Sequence, residues 1–231
     1  MIATSRFVHI HLHKSGGTFV NECLLRFFPD ARELGYHLPR SLLPPAMNAL
    51  PTLGFVRNPW SYYVSWYAFQ SQRAQPNALF RCVSDEGRLD FNASVRNLVC
   101  LGDDHARLDA LLAQLPNAYT GHGLNLPAFV LAHLRGRGIG FYSFLQAYMY
   151  AGDPETLTIG RTESLRENLL GFLENHAAPV PQALRDFIAG AAPRNTSAHG
   201  DYRAYYDAAT RDLVGERDRD AIEPFGYRYE A

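Results

Sequence analysis

The sequence is poor in the features that mark most specialised classes of protein. Cysteine occurs three times in 231 residues, as Cys23, Cys82 and Cys100, with no Cys-x-x-Cys pair. An odd, scattered set argues against a disulfide framework and against a structural zinc site, and it suits a reducing compartment. Cys23 falls in an apolar stretch and reads as a core residue. Long apolar runs are missing as well. None reaches the roughly 18 residues that a membrane span needs, and the first residues lack the pattern of a signal peptide. A soluble, cytoplasmic protein without a membrane span is the expectation. There is no basic surplus either: 22 Lys and Arg stand against 23 Asp and Glu, for a net charge of -1. A nucleic-acid partner is therefore not expected, although one cationic cleft is compatible with a neutral total. No internal repeat, low-complexity tract or GxxxxGK[ST] loop occurs.

What is present is an ordinary globular composition, 47% hydrophobic and 19% charged. The length suits one domain with a proper core. A first strand is expected over about residues 6 to 12, with apolar Phe7, Val8, Ile10 and Leu12. It runs into Lys14-Ser15-Gly16-Gly17-Thr18 and then into a stretch with helical spacing that stops at Pro29. A second unit follows the same plan. Leu53-Gly54-Phe55-Val56 reads as a buried strand, and Arg57-Asn58-Pro59 opens a helix to about Gln72. Asn58 is a good N-cap, and a first-turn proline is tolerated. Residues 76 to 150 look mostly helical and acceptor-side, an insertion within the single domain 1–231. A third strand, Thr156 to Gly160, precedes a helix whose apolar stripe is Leu165, Leu169, Leu170 and Leu173. A charged helix from about Ala208 to Ile222 closes the chain. Strands alternating with helices predict an α/β fold with a central parallel sheet flanked by helices. Ligands bind such sheets beyond the carboxyl ends of the strands, where the Lys14 and Arg57 loops fall.

A glycine turn between strand and helix aims backbone N–H groups at one spot, and the helix terminus adds partial positive charge. Lys14 contributes a full charge, and Ser15 and Thr18 contribute hydroxyls. The lysine precedes the glycines here, the reverse of the magnesium-dependent nucleotide loop. The order suits an anion met without a metal. Arg57 follows a buried strand, and Ser65 lies two helical turns further on. A guanidinium fork and a hydroxyl suit a phosphate. Each feature alone is equally a plain turn or a structural arginine.

The segment Leu12-His13-Lys14-Ser15-Gly16-Gly17-Thr18 resembles the 5'-phosphosulfate loop of sulfotransferases that use 3'-phosphoadenosine 5'-phosphosulfate (PAPS). Phe55-Val56-Arg57-Asn58-Pro59-Trp60, with Ser65, resembles their 3'-phosphate motif. The Asn-Pro-Trp wording, the Ile159 to Leu165 segment and the closing Tyr202 to Asp207 and Phe225 to Tyr227 segments are closest to the carbohydrate-type members. The resemblance touches both ends of the chain and leaves 76 to 150 unmatched. It implies a fold related to nucleotide kinases, PAPS as co-substrate, 3',5'-ADP as product, no metal, and an acceptor hydroxyl, favoured to be a carbohydrate's. It also implies roles. Lys14 would meet the bridging oxygen and the sulfate. Ser15, Gly16, Gly17 and Thr18 would hold the 5'-phosphate, and Arg57 and Ser65 the 3'-phosphate. The loop from Arg194 to Gly200 would close over the nucleotide, with Arg194, Asn195 or Ser197 reaching the 3'-phosphate.

An acceptor hydroxyl must lose a proton, and histidine is matched to that task near neutral pH. Related carbohydrate sulfotransferases keep a histidine base in the loop that here contains His37, so resemblance selects His37. His13 and then His122 are the alternatives, and an Asp or Glu base stays open. Among the aromatics of the Trp60 helix, Tyr63, Trp66, Tyr67 and Phe69 read as packing more than as ligand contacts. Two other functions compete: a metal-dependent small-molecule kinase, which needs a Walker lysine and an acidic magnesium ligand that the sequence does not offer, and a non-catalytic nucleotide- or sugar-binding module, which has less need of Lys14.

Overall fold

A computed structural model describes residues 1–191 and 200–229. Five strands occur among them: β1 (Ile2–Ala3), β2 (Val8–Ile10), β3 (Arg32–Glu33), β4 (Thr52–Val56) and β5 (Leu157–Arg161). The helices are α1 (Gly17–Phe27), α2 (Pro59–Ser71), α3 (Ala78–Val83), α4 (Phe91–Val99), α5 (His105–Leu112) and α6 (Ala128–Leu131). They continue with α7 (Phe141–Tyr150), α8 (Leu165–His176), α9 (Gln182–Gly190), α10 (Ala208–Arg217) and α11 (Arg219–Ile222). None is long and apolar enough to cross a membrane. The described residues form two compact units. The first takes in Met1–Arg57 and the stretch that begins at Ala147; the second takes in Asn58–Gln146 and the C-terminal residues from Gly200.

The first unit is an α/β structure with an open five-stranded sheet in the order β3-β1-β2-β4-β5. β2, β4 and β5 are parallel, with His9 beside Leu53 and Gly54 beside Ile159. β1 is antiparallel to both β2 and β3. The sheet is therefore mixed and not wholly parallel as the alternation of elements implied. The cause is local. Thr4 and Phe7 close a tight turn, Thr4 N to Phe7 O at 2.9 Å, and fold the first residues back along β2. That turn also uses Phe7, so β2 is shorter than the expected run from 6 to 12.

The period-two alternation of strands puts Ile2, His9, Leu53 and Phe55 on one face. That face packs against Val20, Cys23 and Leu24 of α1, Leu169, Phe172 and Leu173 of α8, and Leu184 and Ile188 of α9. Phe7 meets Phe28 and Phe172 edge-on at 5.4 and 5.5 Å. The expected Leu stripe of α8 is thus a core stripe, with Leu165 and Leu170 partly buried at its margin. Cutting one of these buried leucines to alanine costs about 2–5 kcal/mol. The three cysteines are free thiols; Cys23 is buried, and burial pushes its thiol up to about 12.

The second unit is helical among its described residues. α2 begins as expected: Asn58 Oδ1 accepts the N–H groups of Trp60 (3.0 Å) and Ser61 (3.3 Å). Its aromatics are mostly core. Trp60, Tyr62, Tyr63 and Trp66 are buried, and Tyr62 stacks on Tyr142 at 4.1 Å. Phe69 departs from the packing reading: it is 39% exposed, with the Arg73 guanidinium 5.2 Å from its ring centre. Asp218, fully buried, accepts from Tyr63 Oη (2.6 Å) and from the Ser143 N–H (2.7 Å), which ties off the first turn of α7. Burial raises its carboxyl to about 6.

Candidate functional site

The order of the strands singles out one place in the first unit. The chain leaves β2 towards β3 on one side and leaves β4 towards β5 on the other. The carboxyl ends of β2 and β4 therefore flank a switch in strand order, where open α/β sheets hold ligands. Lys14 follows β2 and Arg57 follows β4.

β2 ends at Ile10, the partner of Gly54, so the backbone of Phe55, which lies beside Gly160 of β5 on one side, has no paired strand on the β2 side. The Tyr150 hydroxyl fills that role. It accepts from Phe55 N–H at 2.8 Å and donates to Phe55 C=O at 2.7 Å. Gly54 makes room for the Tyr150 ring, which a Cβ there would strike. One step on, the Thr162 hydroxyl donates to the Val56 carbonyl (2.8 Å), bracing the residue before Arg57.

The lysine loop turns over residues 13–16 and enters α1. Gly16 is the N-cap with φ of 77°, a left-handed conformation that glycine adopts without penalty. It brings no side-chain cap, and no acidic residue lies in the first turn of α1. A Cβ at Gly16 would run into the Leu165 side chain, and one at Gly17 into the His11 ring. The Ser15 hydroxyl is buried and donates to the His13 carbonyl (3.3 Å), so it serves the loop itself. Thr18 is exposed on the first turn.

Lys14 and Arg57 come together. Arg57 Nη1 donates to the Lys14 carbonyl at 3.4 Å. Burial, and then the nearby Arg57 charge, lower the Lys14 ammonium to about 8. Two cations held this close favour an anion that would neutralise both. Lys14 also has φ of 58°, and His37 has φ of 46°. Left-handed geometry is costly for side chains of this kind and tends to concentrate at functional sites.

His37 sits against the same loop. Its ring stacks on His13 with centres 3.7 Å apart and lies 4.3 Å from His11 and 4.0 Å from Tyr36. His37 Nδ1 lies 2.7 Å from the His11 carbonyl. A carbonyl only accepts, so Nδ1 carries the proton and Nε2 carries the lone pair. Burial, with the neighbouring His13 and His11, keeps the imidazole pKa well below its ordinary value. The ring is neutral at physiological pH, and Nε2 is not among the buried polar atoms that lack a partner.

Lys14, Ser15, Gly16, Gly17, Thr18, His37 and Arg57 thus all belong to the first unit, as does His13. Ser65 is in the second, buried on α2 at 2% exposure. His122 is also in the second unit, exposed, with Nδ1 2.9 Å from the Thr120 carbonyl of its own loop. Arg194, Asn195 and Ser197 lie outside the described residues. Among the described residues no group of three or more His, Cys, Asp or Glu side chains is arranged to hold a metal ion. The residues to which sequence reasoning gave no part in the site are supports: Thr162, Leu165 and Tyr150 in later parts of the chain, and His11 with Asn21. No family model and no curated protein matches this chain.

Proposed function

We propose that this chain is a PAPS-dependent sulfotransferase that moves a sulfuryl group to a hydroxyl of a carbohydrate acceptor. The observation that carries the reading is the meeting of Lys14 with Arg57 at the ends of two neighbouring parallel strands, next to a glycine turn that opens a helix. The Lys14 and Arg57 motifs are also the two segments that resemble the family's phosphate-binding elements.

In the proposed reaction the acceptor oxygen attacks sulfur in line. The bond from sulfur to the bridging phosphate oxygen breaks, and 3',5'-ADP leaves. Lys14 and the loop amides stabilise the charge that builds on the leaving oxygen, by electrostatics set in place before the reaction. The hydroxyl proton passes to Nε2 of His37, whose tautomer leaves that nitrogen free to take it. A neutral imidazole buried against His13 and His11 is a weak base in the resting protein. As the sulfate ester forms and anionic charge gathers beside it, the imidazolium is favoured.

The test is calorimetric titration with 3',5'-ADP and with AMP. The protein binds 3',5'-ADP more tightly, because Arg57 reads the extra phosphate. A charged hydrogen bond contributes about 1.5–3 kcal/mol, so Arg57→Ala weakens 3',5'-ADP binding roughly 10- to 100-fold. Equal affinity for the two nucleotides overturns the assignment.

A further inference from the structure

His9, His11, His13 and His37 gather in the first unit, and a single side chain on α1 links His9 and His11. Asn21 lies one helical turn beyond Gly17, on the same side of the helix. Its Oδ1 is 2.9 Å from His9 Nδ1, and its Nδ2 is 3.4 Å from His11 Nδ1. Amide oxygen accepts and amide nitrogen donates. His9 therefore carries its proton on Nδ1, while His11 presents the Nδ1 lone pair and carries its proton on Nε2. The His11 ring is also wedged over Gly17, where a Cβ would overlap it. One amide and one missing methyl thus hold His11 in place. The His11 carbonyl in turn accepts a hydrogen bond from His37 Nδ1–H, and the His11 ring packs on His37.

We propose that Asn21 is a positioning residue for His37 and acts through His11: the amide holds the His11 ring, and His11 holds His37 in the tautomer whose Nε2 can accept a proton. Neither His9 nor Asn21 is expected to touch the acceptor. The role of Asn21 in turnover rests on reading His37 as the base, but its effect on the His37 tautomer does not.

The geometry gives Asn21 a character that a filler residue would lack. A residue that merely occupied space could be replaced by one of equal volume. Asn21→Asp keeps the volume and keeps the acceptor for His9 Nδ1–H. It replaces the donor towards His11 with a second acceptor, so His11 must move its proton to Nδ1. Asn21→Ala removes both bonds and leaves the fold's apolar contacts in place.

The experiment is nitrogen-15 spectroscopy of the imidazole rings in the wild-type chain and both variants, at a pH where all are neutral, together with kcat and KM for PAPS turnover. In the wild type, His37 shows a single Nδ1–H tautomer and His11 a single Nε2–H tautomer. In Asn21→Asp the His11 pattern inverts. In Asn21→Ala the His37 signal becomes a mixture of tautomers, and kcat falls about tenfold with KM and 3',5'-ADP affinity within twofold. That loss is a fraction of the roughly 10²- to 10⁴-fold that a general base supplies. A His37 ring that stays wholly Nδ1–H in both folded variants overturns the proposal, and so does a kcat that does not move. If the wild-type chain does not turn over PAPS, the ring spectra still decide whether Asn21 positions His37, and only the sulfotransferase reading falls.

Discussion

Lys14 is the side chain on which burial and charge act most directly. Its ammonium titrates at about 8 in the ligand-free protein, because burial and Arg57 both disfavour the charged form. An anion bound beside it favours the charged form and raises that value. Binding of 3',5'-ADP therefore takes up a proton above pH 8. Affinity is level below pH 8 and falls by up to tenfold per pH unit above it, until the pKa of the bound form is reached. Calorimetry from pH 6 to 10, in buffers of different ionisation heat, reads both the slope and the proton. Lys14→Ala binds more weakly and loses this slope; a slope that persists in the variant assigns it to another group. The local frame was legible in the sequence: two glycines after a short strand mark the turn into α1, and Asn58 marks the start of α2. What was not legible is the second duty of the glycines. The clash of a Gly17 Cβ with His11, and of a Gly16 Cβ with Leu165, depends on residues that meet only in the folded chain.

The strands show the same division between local pattern and long-range contact. β2, β4 and β5 could be placed within about two residues, because each is a short run rich in apolar and β-branched residues bounded by turns. β1 and β3 are two residues each and carry no periodicity to detect. Their pairing is what makes the sheet mixed. The Tyr150 hydroxyl is the clearest long-range support, satisfying both backbone groups of Phe55 across 95 positions of sequence. Tyr150→Phe leaves both without that partner in a buried place. Leaving a buried polar group unsatisfied costs about 1–3 kcal/mol, so the variant loses roughly 2–4 kcal/mol of stability, measured by urea denaturation. It also loosens the strand end that carries Arg57, and 3',5'-ADP binding weakens with it. A variant as stable as the wild type removes Tyr150 from the account.

The chain as a whole carries opposing responses to acid. In the first unit His9, His11 and His37 are buried and neutral; His9 is lowered to about 3, and the other two lie well below 6.5. Their unfolded forms bind protons at about 6.5, so the unfolded state takes up protons first as pH falls. Stability is complete above that value and is lost as pH drops below it. At pH 5 His9 alone has forfeited roughly 2 kcal/mol, and His11 and His37 act in the same direction. In the second unit Asp218 acts the other way. Its folded pKa is raised to about 6 against 3.8, so the cost of its buried charge is relieved as pH falls from 6 to 3.8. One carboxyl does not offset three imidazoles. The urea midpoint, followed by circular dichroism, falls between pH 7 and pH 5; an unchanged midpoint contradicts the buried neutral state of the cluster. The division into two units was not legible in the sequence, because no linker, composition shift or charge run marks residue 57 or 146. The second unit is assembled from segments far apart in the chain, and that is a property of contacts alone.

In the proposed reaction Lys14 and its loop activate a phosphosulfate. Incubation with PAPS labelled in sulfur, a set of carbohydrate, peptide and phenol acceptors, and a chelator in place of added metal tests it directly. The expected result is label on a carbohydrate hydroxyl, release of an equal amount of 3',5'-ADP, and neither product with a folded Lys14→Ala variant. Label that appears equally with that variant, or no label on any acceptor while PAPS saturates the protein, contradicts it.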